Sequence, residues 1–410
     1  MPRKKPDPAT PTTHSSLPFK GRAGEGMGFH PSVPSPQSPS LHFTIDTFDD
    51  PDTGKPTEVG RFSRNWQDED ALDALIDKLD AGQISDKQAL MQARKLEAAT
   101  PDNLEIQNFI ANRLWALGMR DEAAEVHERA FNRALALIPK GYKGQITWSE
   151  SDHASRPGET KPLPAAEGRP NLWQGDSGRQ DRATYNRSFL RLAHGTLLGL
   201  MHRREGKSAM VLAKKLLAWC PMDNLGVRFL LGDIALITGD RKAAMKEYLN
   251  GAPNSPAHWY QAALIAFREG DYVAACTYLR RGIAANPYIA EGLTGRTLMA
   301  EHLYWHASNV HGPEWAIDYL ESAACDWTAE EIDFVDWVFN ASLVLRERAE
   351  LMELQEGLTY ERDDEKRGSY AWRSTRFVEG ITDAVSKQML RKVRNRYGVE
   401  VWPWAQASIR

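Results

Sequence analysis

An all-α fold built from stacked helix pairs is what this sequence predicts, on three observations. From Trp66 to the C-terminus, apolar residues recur at helical rather than strand spacing. Helix-start signals crowd together, three of them between Trp66 and Pro101. Glycine, alanine and proline landmarks repeat at matching offsets: Gly239 and Gly270 lie 31 positions apart, Ala244 and Ala275 follow each by five, and Pro256 and Pro287 close each unit.

The repeated landmarks extend further. Leu231 and Gly232 suit a tight helix contact in the first of these units, and Ala263 in the second. Ala244 with Tyr248, then Ala275 with Leu279, fill the second-helix positions, and Trp259 stands at an opening aromatic position. A helix, turn and helix of about 34 residues with these features is a tetratricopeptide unit. The fold class expected is therefore an all-α, tetratricopeptide-like helical-pair solenoid, a right-handed superhelix, with a disordered N-terminal tail. Weaker copies lie around Gly199, Gly206 and Pro221, with a turn one residue short, and around Ala111, Gly118, Ala123 and Ala130. Another follows from Gly312 through Trp315, Ile317, Tyr319 and Leu320. One unit buries too few side chains to offset the entropy of ordering its backbone, so neighbours must cover its open face.

Residues 1–60 are rich in Pro, Ser, Gly and Thr and read as a disordered tail. One island, Leu41 to Phe48, alternates well enough for a strand or a linear motif, although the tail reading is preferred. The glycines between Leu17 and Gly28 have no strand before them and no helix after them, so they make no phosphate loop. Residues 61–140 hold N-terminal helices and a first repeat. Leu72, Leu75, Ile76 and Leu79 form one apolar face, and Ser85 with Gln88 opens a second helix running through Leu90 and Leu96. Thr100 as N-cap and Pro101 at the first helical position start a third. Residues 141–182 form an irregular insert, expected to be disordered with at most one of Trp148 and Trp173 pinned to the helices. Residues 183–325 carry the clearest repeats, and 326–410 read as helices capping the solenoid. There Thr328 and Glu331 form a capping box, a long helix runs on through Leu345 and Leu351, and Val378, Ile381, Val385, Met389 and Val393 line a final amphipathic helix.

Composition restricts the functional classes. No run approaches the roughly 18 apolar residues of a membrane-spanning helix, and a net charge of −4 draws no polyanion to the molecule as a whole. Cys220, Cys276 and Cys325 lie far apart and form no C-x-x-C pair, so they read as reduced thiols. Arg3, Lys4 and Lys5 are followed by no apolar segment, so a secretory signal is not expected and a cytoplasmic location is. No cofactor is implied.

Three stretches stand apart from a generic repeat: Asn186-Arg-Ser-Phe-Leu-Arg191, Cys220-Pro-Met-Asp-Asn-Leu-Gly-Val-Arg228 and Asn286-Pro-Tyr-Ile289. Over roughly residues 186 to 295 the chain resembles bacterial tetratricopeptide proteins related to the suppression of tumorigenicity 7 family. It departs from their usual pattern at Ser188, Met222 and Ala290. The resemblance implies an α-helical repeat fold and, since that family has no defined biochemical activity, no particular reaction.

Candidate chemistry is sparse. His302, His306 and His311 follow Glu301 at helical spacing and are weak candidates for a metal site, but nothing matches H-E-x-x-H, and packing or surface histidines are the expected reading. Lys387, Arg391, Lys392, Arg394 and Arg396, followed by Tyr397, Trp402 and Trp404, place cations beside aromatics in what reads as the last helix. A solvated face is preferred for them, so nucleic acid is an unlikely partner. Asp326, Glu330, Glu331, Asp333 and Asp336 are an acidic counterpart. The first helices of each pair line the concave wall of such solenoids and present Asn108, Asn112, Trp115, Arg203, Phe229, Asp233, Tyr260, Leu264 and Phe267. Of the wall and turn residues, Asn108, Asn112, Arg187, Arg191, Arg228 and Tyr260 are the best candidates for contacting a partner. Asn108 and Asn112 are spaced like the residues with which co-chaperone domains grip a peptide carboxylate, and the arginines suit either a ligand or backbone carbonyls within turns. No Ser/His/Asp order, paired Cys and His, Walker sequence or Rossmann turn is present. The expected function is a non-enzymatic scaffold whose concave groove takes a peptide or helix of an unknown protein partner. A nucleic-acid binder and a metal-dependent enzyme are the alternatives.

Overall fold

The structure, a computed structural model, describes residues 41–49, 55–63, 69–148, 184–295 and 309–405, all within the unit Ser40–Arg410. Among them are sixteen α-helices and two short two-stranded sheets. The chain is thus mostly helical, and no helix among the described residues is long and apolar enough to cross a membrane.

The helices start where side chains supply partners for open backbone N–H groups. Helix α1 (Glu69–Asp80) is followed by α2 (Asp86–Ala99), which opens on the expected capping box of Ser85 and Gln88. Helix α3 (Leu104–Ala116) begins later than expected. Asn103 is its N-cap, accepting from the N–H groups of Glu105 (3.0 Å) and Ile106 (3.2 Å). Thr100 instead closes α2, its N–H and hydroxyl both donating to the Leu96 carbonyl. The residue before a proline is pushed out of the helical region, so α2 ends at Thr100, while the start of the next helix falls to Asn103, whose side-chain oxygen takes two open N–H groups.

One turn recurs between successive helices. It joins α3 to α4 (Arg120–Leu135), α5 (Thr184–His202) to α6 (Gly206–Trp219), α7 (Leu231–Ile237) to α8 (Arg241–Gly251), and α9 (Pro256–Arg268) to α10 (Tyr272–Ala285). In each, one residue is left-handed: Gly118 (φ 77°), Arg204 (φ 62°), Gly239 (φ 83°) and Gly270 (φ 79°). Its N–H donates to the carbonyl three residues back and the next N–H to the carbonyl five back, satisfying the last open acceptors of the first helix. Five residues on from each stands an alanine, Ala123, Ala209, Ala244 or Ala275, with 0% of its surface exposed. A methyl group is all the space between the paired helices admits there. The same closeness holds at Gly232, where a Cβ would lie 2.4 Å from the Tyr248 ring.

The turn after α5 is therefore full length, not one residue short. Arg204 occupies the glycine position, and Gly206 is the first residue of α6. A left-handed non-glycine residue costs about 1–2 kcal/mol, more than the entropy glycine adds to the unfolded chain. Arg204 is exposed, so Arg204→Gly is expected to stabilise the protein by about 0.5–1 kcal/mol in urea unfolding.

The N-terminal region departs most from expectation. Residues 42–49 and 56–63 are not a structureless tail. Strands β1 (His42–Asp49) and β2 (Pro56–Ser63) pair antiparallel from His42 opposite Ser63 to Asp49 opposite Pro56. The first residues of the expected insert dock alongside: the Gly60 N–H donates to Gln145 O (2.7 Å), and the Gln145 N–H to Glu58 O (2.9 Å). Phe62, 1% exposed, stacks on Phe189 of α5 at 4.5 Å, and Phe189 in turn meets Phe131 and Trp219. This hairpin owes its core to helices far away in the chain. The expectations for residues 1–40, including the glycines between Leu17 and Gly28, and for 149–183, including Trp173, lie outside the described residues.

The C-terminal region is more broken than its periodicity suggests. Helices α11 (Pro287–Leu293) and α12 (Pro313–Ala323) precede α13 (Ala329–Asn340), which starts on the expected Thr328–Glu331 capping box. The expected long helix stops at the extended residue Ala341, and α14 (Ser342–Tyr360) begins afresh. The Asn340 amide donates to Asp336 O (2.7 Å), a side-chain bond to the carbonyl four residues back that competes with the backbone bond of the last turn. The expected final helix is likewise three pieces: α15 (Asp364–Glu379), α16 (Asp383–Met389), and a hairpin of β3 (Val393–Arg394) with β4 (Glu400–Val401). Trp404 then returns to the core against Phe267, Tyr272, Phe334 and Trp337.

Buried histidines add a pH dependence. His127 of α4 packs on Gly195 of α5, where a Cβ would come within 2.4 Å of its ring. Burial, and secondarily His194, depress its pKa to about 4. The unfolded chain therefore takes up the proton first. The stability due to the neutral ring is complete above about pH 6.5 and is lost as the pH falls towards 4. Between pH 6.5 and 5 the loss due to His127 is expected to be about 1.5 kcal/mol, read by urea unfolding, and His127→Gln should reduce the slope without abolishing it, since burial also lowers the pKa of His194 and His258.

Candidate binding groove

Most of the polar residues singled out in the sequence hold helices together. Asn108 of α3 is 4% exposed, and its amide donates to Ser188 O of α5 at 2.9 Å; Asn112, one turn on, is exposed. The stretch Asn186 to Arg191 forms a joint. Asn186 accepts from the Phe62 N–H (2.9 Å) and donates to the carbonyls of Gly60 and Thr147 (3.1 Å each). Arg187 donates to Trp148 O (2.9 Å), and Arg191 pairs with Glu105 at 3.3 Å. Both guanidiniums lie over the Trp148 ring, at 5.6 and 5.3 Å. Trp148 is thus the insert tryptophan pinned to the helices.

Arg228 is a turn brace. Left-handed Asp223 (φ 52°) accepts from the N–H groups of Val227 and Arg228 and from Arg228 Nε (2.7 Å), while Arg228 Nη2 donates to Met222 O (3.1 Å). Tyr260 does not serve as a surface anchor. It is fully buried and donates to Asn286 O at 2.8 Å, because the position faces α10, where Gly282 leaves room for its ring. His302 and His306 lie outside the described residues, and the His311 ring meets Ala285 O at 2.8 Å. Among the described residues, no three His, Cys, Asp or Glu side chains converge as a metal site would require. Cys220 and Cys276 are buried and Cys325 is exposed, and among the described residues none is in a disulfide.

A different set of residues forms a groove. Gln261, Leu264, Ile265 and Arg268 make an i, i+3, i+4, i+7 stripe on α9. With Leu236 of α7, Arg241 of α8 and Asp326 before α13, they line a cavity of about 50 Å³, room for a water or one carboxylate-sized group. The apolar floor is Leu264 and Ile265. One rim is locked: Arg268 grips Glu331 through two bonds (2.7 and 3.2 Å) and also donates to Asp326 O. Burial pushes the Glu331 carboxyl up, but the bonds from Arg268 and Thr328 outweigh it and hold the group below the usual range. The other rim is open, since Arg241 is exposed and, among the described residues, makes no ion pair.

Beneath the groove lies a buried polar layer. Gln261 and the Trp327 indole both donate to the Tyr319 hydroxyl (3.3 and 3.0 Å), and Tyr248 donates to Asp233. Burial raises the Asp233 carboxyl and the Tyr248 and Tyr319 phenols above their usual pKa values. This layer fixes the groove wall and leaves its side chains little freedom to rearrange. The stripe on α9 was present in the sequence as helical spacing, but its polar ends were indistinguishable from ordinary solvated positions until Arg241 was seen beside them.

Compared with known proteins, the chain matches no family model and no curated protein.

Proposed function

We propose that the protein is a non-enzymatic, tetratricopeptide-type scaffold that holds a peptide or helix of a protein partner across α7 and α9. What carries this reading is the groove just described, with an apolar floor, one rim locked by Arg268 and Glu331, and the exposed Arg241 on the other. Pre-formed clefts of mixed polarity bind with little ordering cost. The recurring turn with its zero-exposure alanine supports stacked repeat units, as does the resemblance over residues 186–295. The partner segment carries an acidic side chain or carboxylate for Arg241 and apolar side chains for the floor.

Selection of a displayed random-peptide library on the full chain tests this. Enriched peptides are expected to share an acidic residue beside apolar ones and to lose tenfold or more in affinity on Arg241→Glu, the worth of a charge-assisted hydrogen bond. Val211→Glu, on an exposed position of α6, should leave binding unchanged. Absence of enrichment, or peptides indifferent to Arg241→Glu, would remove the proposal.

A further inference from the structure

We infer that the β3–β4 hairpin is a docking surface for single-stranded nucleic acid, independent of the groove. Its cations had been expected on a solvated face of a helix beside a core seam. The structure places Arg391, Lys392, Arg394 and Arg396 beyond the end of α16, on and around an extended strand. Along Lys392, Val393, Arg394, Asn395 and Arg396 exposure alternates: the three cations are exposed, while Val393 and Asn395 are half-buried. Lys392 and Arg394, two apart across this two-residue strand, are about 6–7 Å apart, comparable to one nucleotide step of an extended chain, and Arg396 continues the series into the turn. Lys387, Arg391, Lys392 and Arg396 make no ion pair among the described residues, and from Asp383 to Val401 only Asp383 and Glu400 oppose the five cations.

An aromatic platform completes the arrangement. Tyr397 at the hairpin tip is 68% exposed, with the Arg396 guanidinium 4.8 Å from its ring centre. The tip is rigid: the Asn395 side chain accepts from the N–H groups of Tyr397 (2.9 Å) and Val399 (3.0 Å), and Gly398 turns at φ 77°. The base is anchored, since Lys392 lies over Trp402, and Trp402 stacks parallel on buried Trp404 at 5.2 Å. A row of solvent-facing cations holds a phosphate backbone, and an exposed ring beside it stacks a base of any kind. In a chain whose net charge is −4, this local excess sets where a polyanion lands.

Fluorescence anisotropy of the full chain with a labelled oligouridylate of about 16 nucleotides tests the inference. Binding is expected at about 50 mM salt, with log K falling against log salt at a slope of about −2 to −3, for three or four phosphates neutralised. The triple variant Lys392→Glu, Arg394→Glu, Arg396→Glu should abolish binding while circular dichroism and thermal unfolding stay unchanged. Should that variant misfold, the single variant Arg391→Glu carries the charge test through a shallower salt slope and weaker binding. Tyr397→Ala should weaken binding about fivefold or more and leave the salt slope intact. No binding at about 50 mM salt, or binding indifferent to these changes, overturns the inference. So does equal or tighter binding of polyglutamate or of phosphatidylserine vesicles, which would assign the surface to acidic proteins or to lipid.

Discussion

Arg280→Met is expected to lower the free energy of unfolding by about 3–5 kcal/mol, the cost of removing one member of a buried ion pair. The Arg280 side chain is 1% exposed and pairs with Glu347 of α14. It also donates to Thr382 O (3.1 Å) and Ser386 Oγ (2.9 Å), so one guanidinium ties α10 to α14 and to the start of α16. Thr277 reinforces the joint through Ser386 Oγ (2.8 Å) and Asp383 (2.6 Å). Without Arg280, the largely buried Glu347 carboxylate has lost its counter-ion. The double variant Arg280→Met, Glu347→Leu should therefore recover most of the loss, because an apolar pair needs no compensation for desolvated charge. Urea unfolding of the two variants decides the matter. A single variant within 1 kcal/mol of wild type, or a double variant less stable than the single, would show that the pair contributes little.

The second large effect is expected at Asn186. Asn186→Ala leaves the Phe62 N–H and the carbonyls of Gly60 and Thr147 without partners inside the protein. At about 1–3 kcal/mol for each buried group stranded, partly relieved by water, the loss should be about 3–5 kcal/mol. Asn186→Asp keeps the acceptor for Phe62 but turns a buried carboxylate oxygen towards two carbonyls, so at neutral pH it should cost at least as much. Hydrogen exchange supplies the local reading. Amides of β1, β2 and Gln145 should exchange faster in Asn186→Ala, while those of α9 and α10 keep their protection. Uniform acceleration across all helices would mean that Asn186 supports the whole fold rather than this joint.

What was legible in the sequence was local. Capping boxes at Ser85 and Thr328 involve partners three residues apart and were read correctly. The recurring turn was read wherever its left-handed residue is glycine, and misread at Arg204, where nothing in the side chain announces a positive φ. Failures cluster where the partners are distant. The β1–β2 hairpin looked like a tail because Phe62 of β2 finds its core at Phe189, beside Phe131 and Trp219, and the final helix looked continuous because the apolar period carries on through Val393 while the backbone does not. The candidate site suffered in the same way. Asn108, Arg187, Arg191 and Arg228 were read as candidates for contacting a partner, and each is engaged by another group of the chain. The groove residue Arg241 had no local signature, because its significance is that it is exposed and has no ion pair among the described residues.

The union of β2 with α5 also sets an order on biosynthesis. Phe62 and the Asn186 amide that receives its N–H are 124 residues apart. At a synthesis rate of about 5–20 residues per second, the first strand leaves the ribosome on the order of 10 seconds before its seat exists. In that interval the Phe62 ring has no Phe189 to cover it, so this N-terminal hairpin leaves apolar surface open while about the next 120 residues are made.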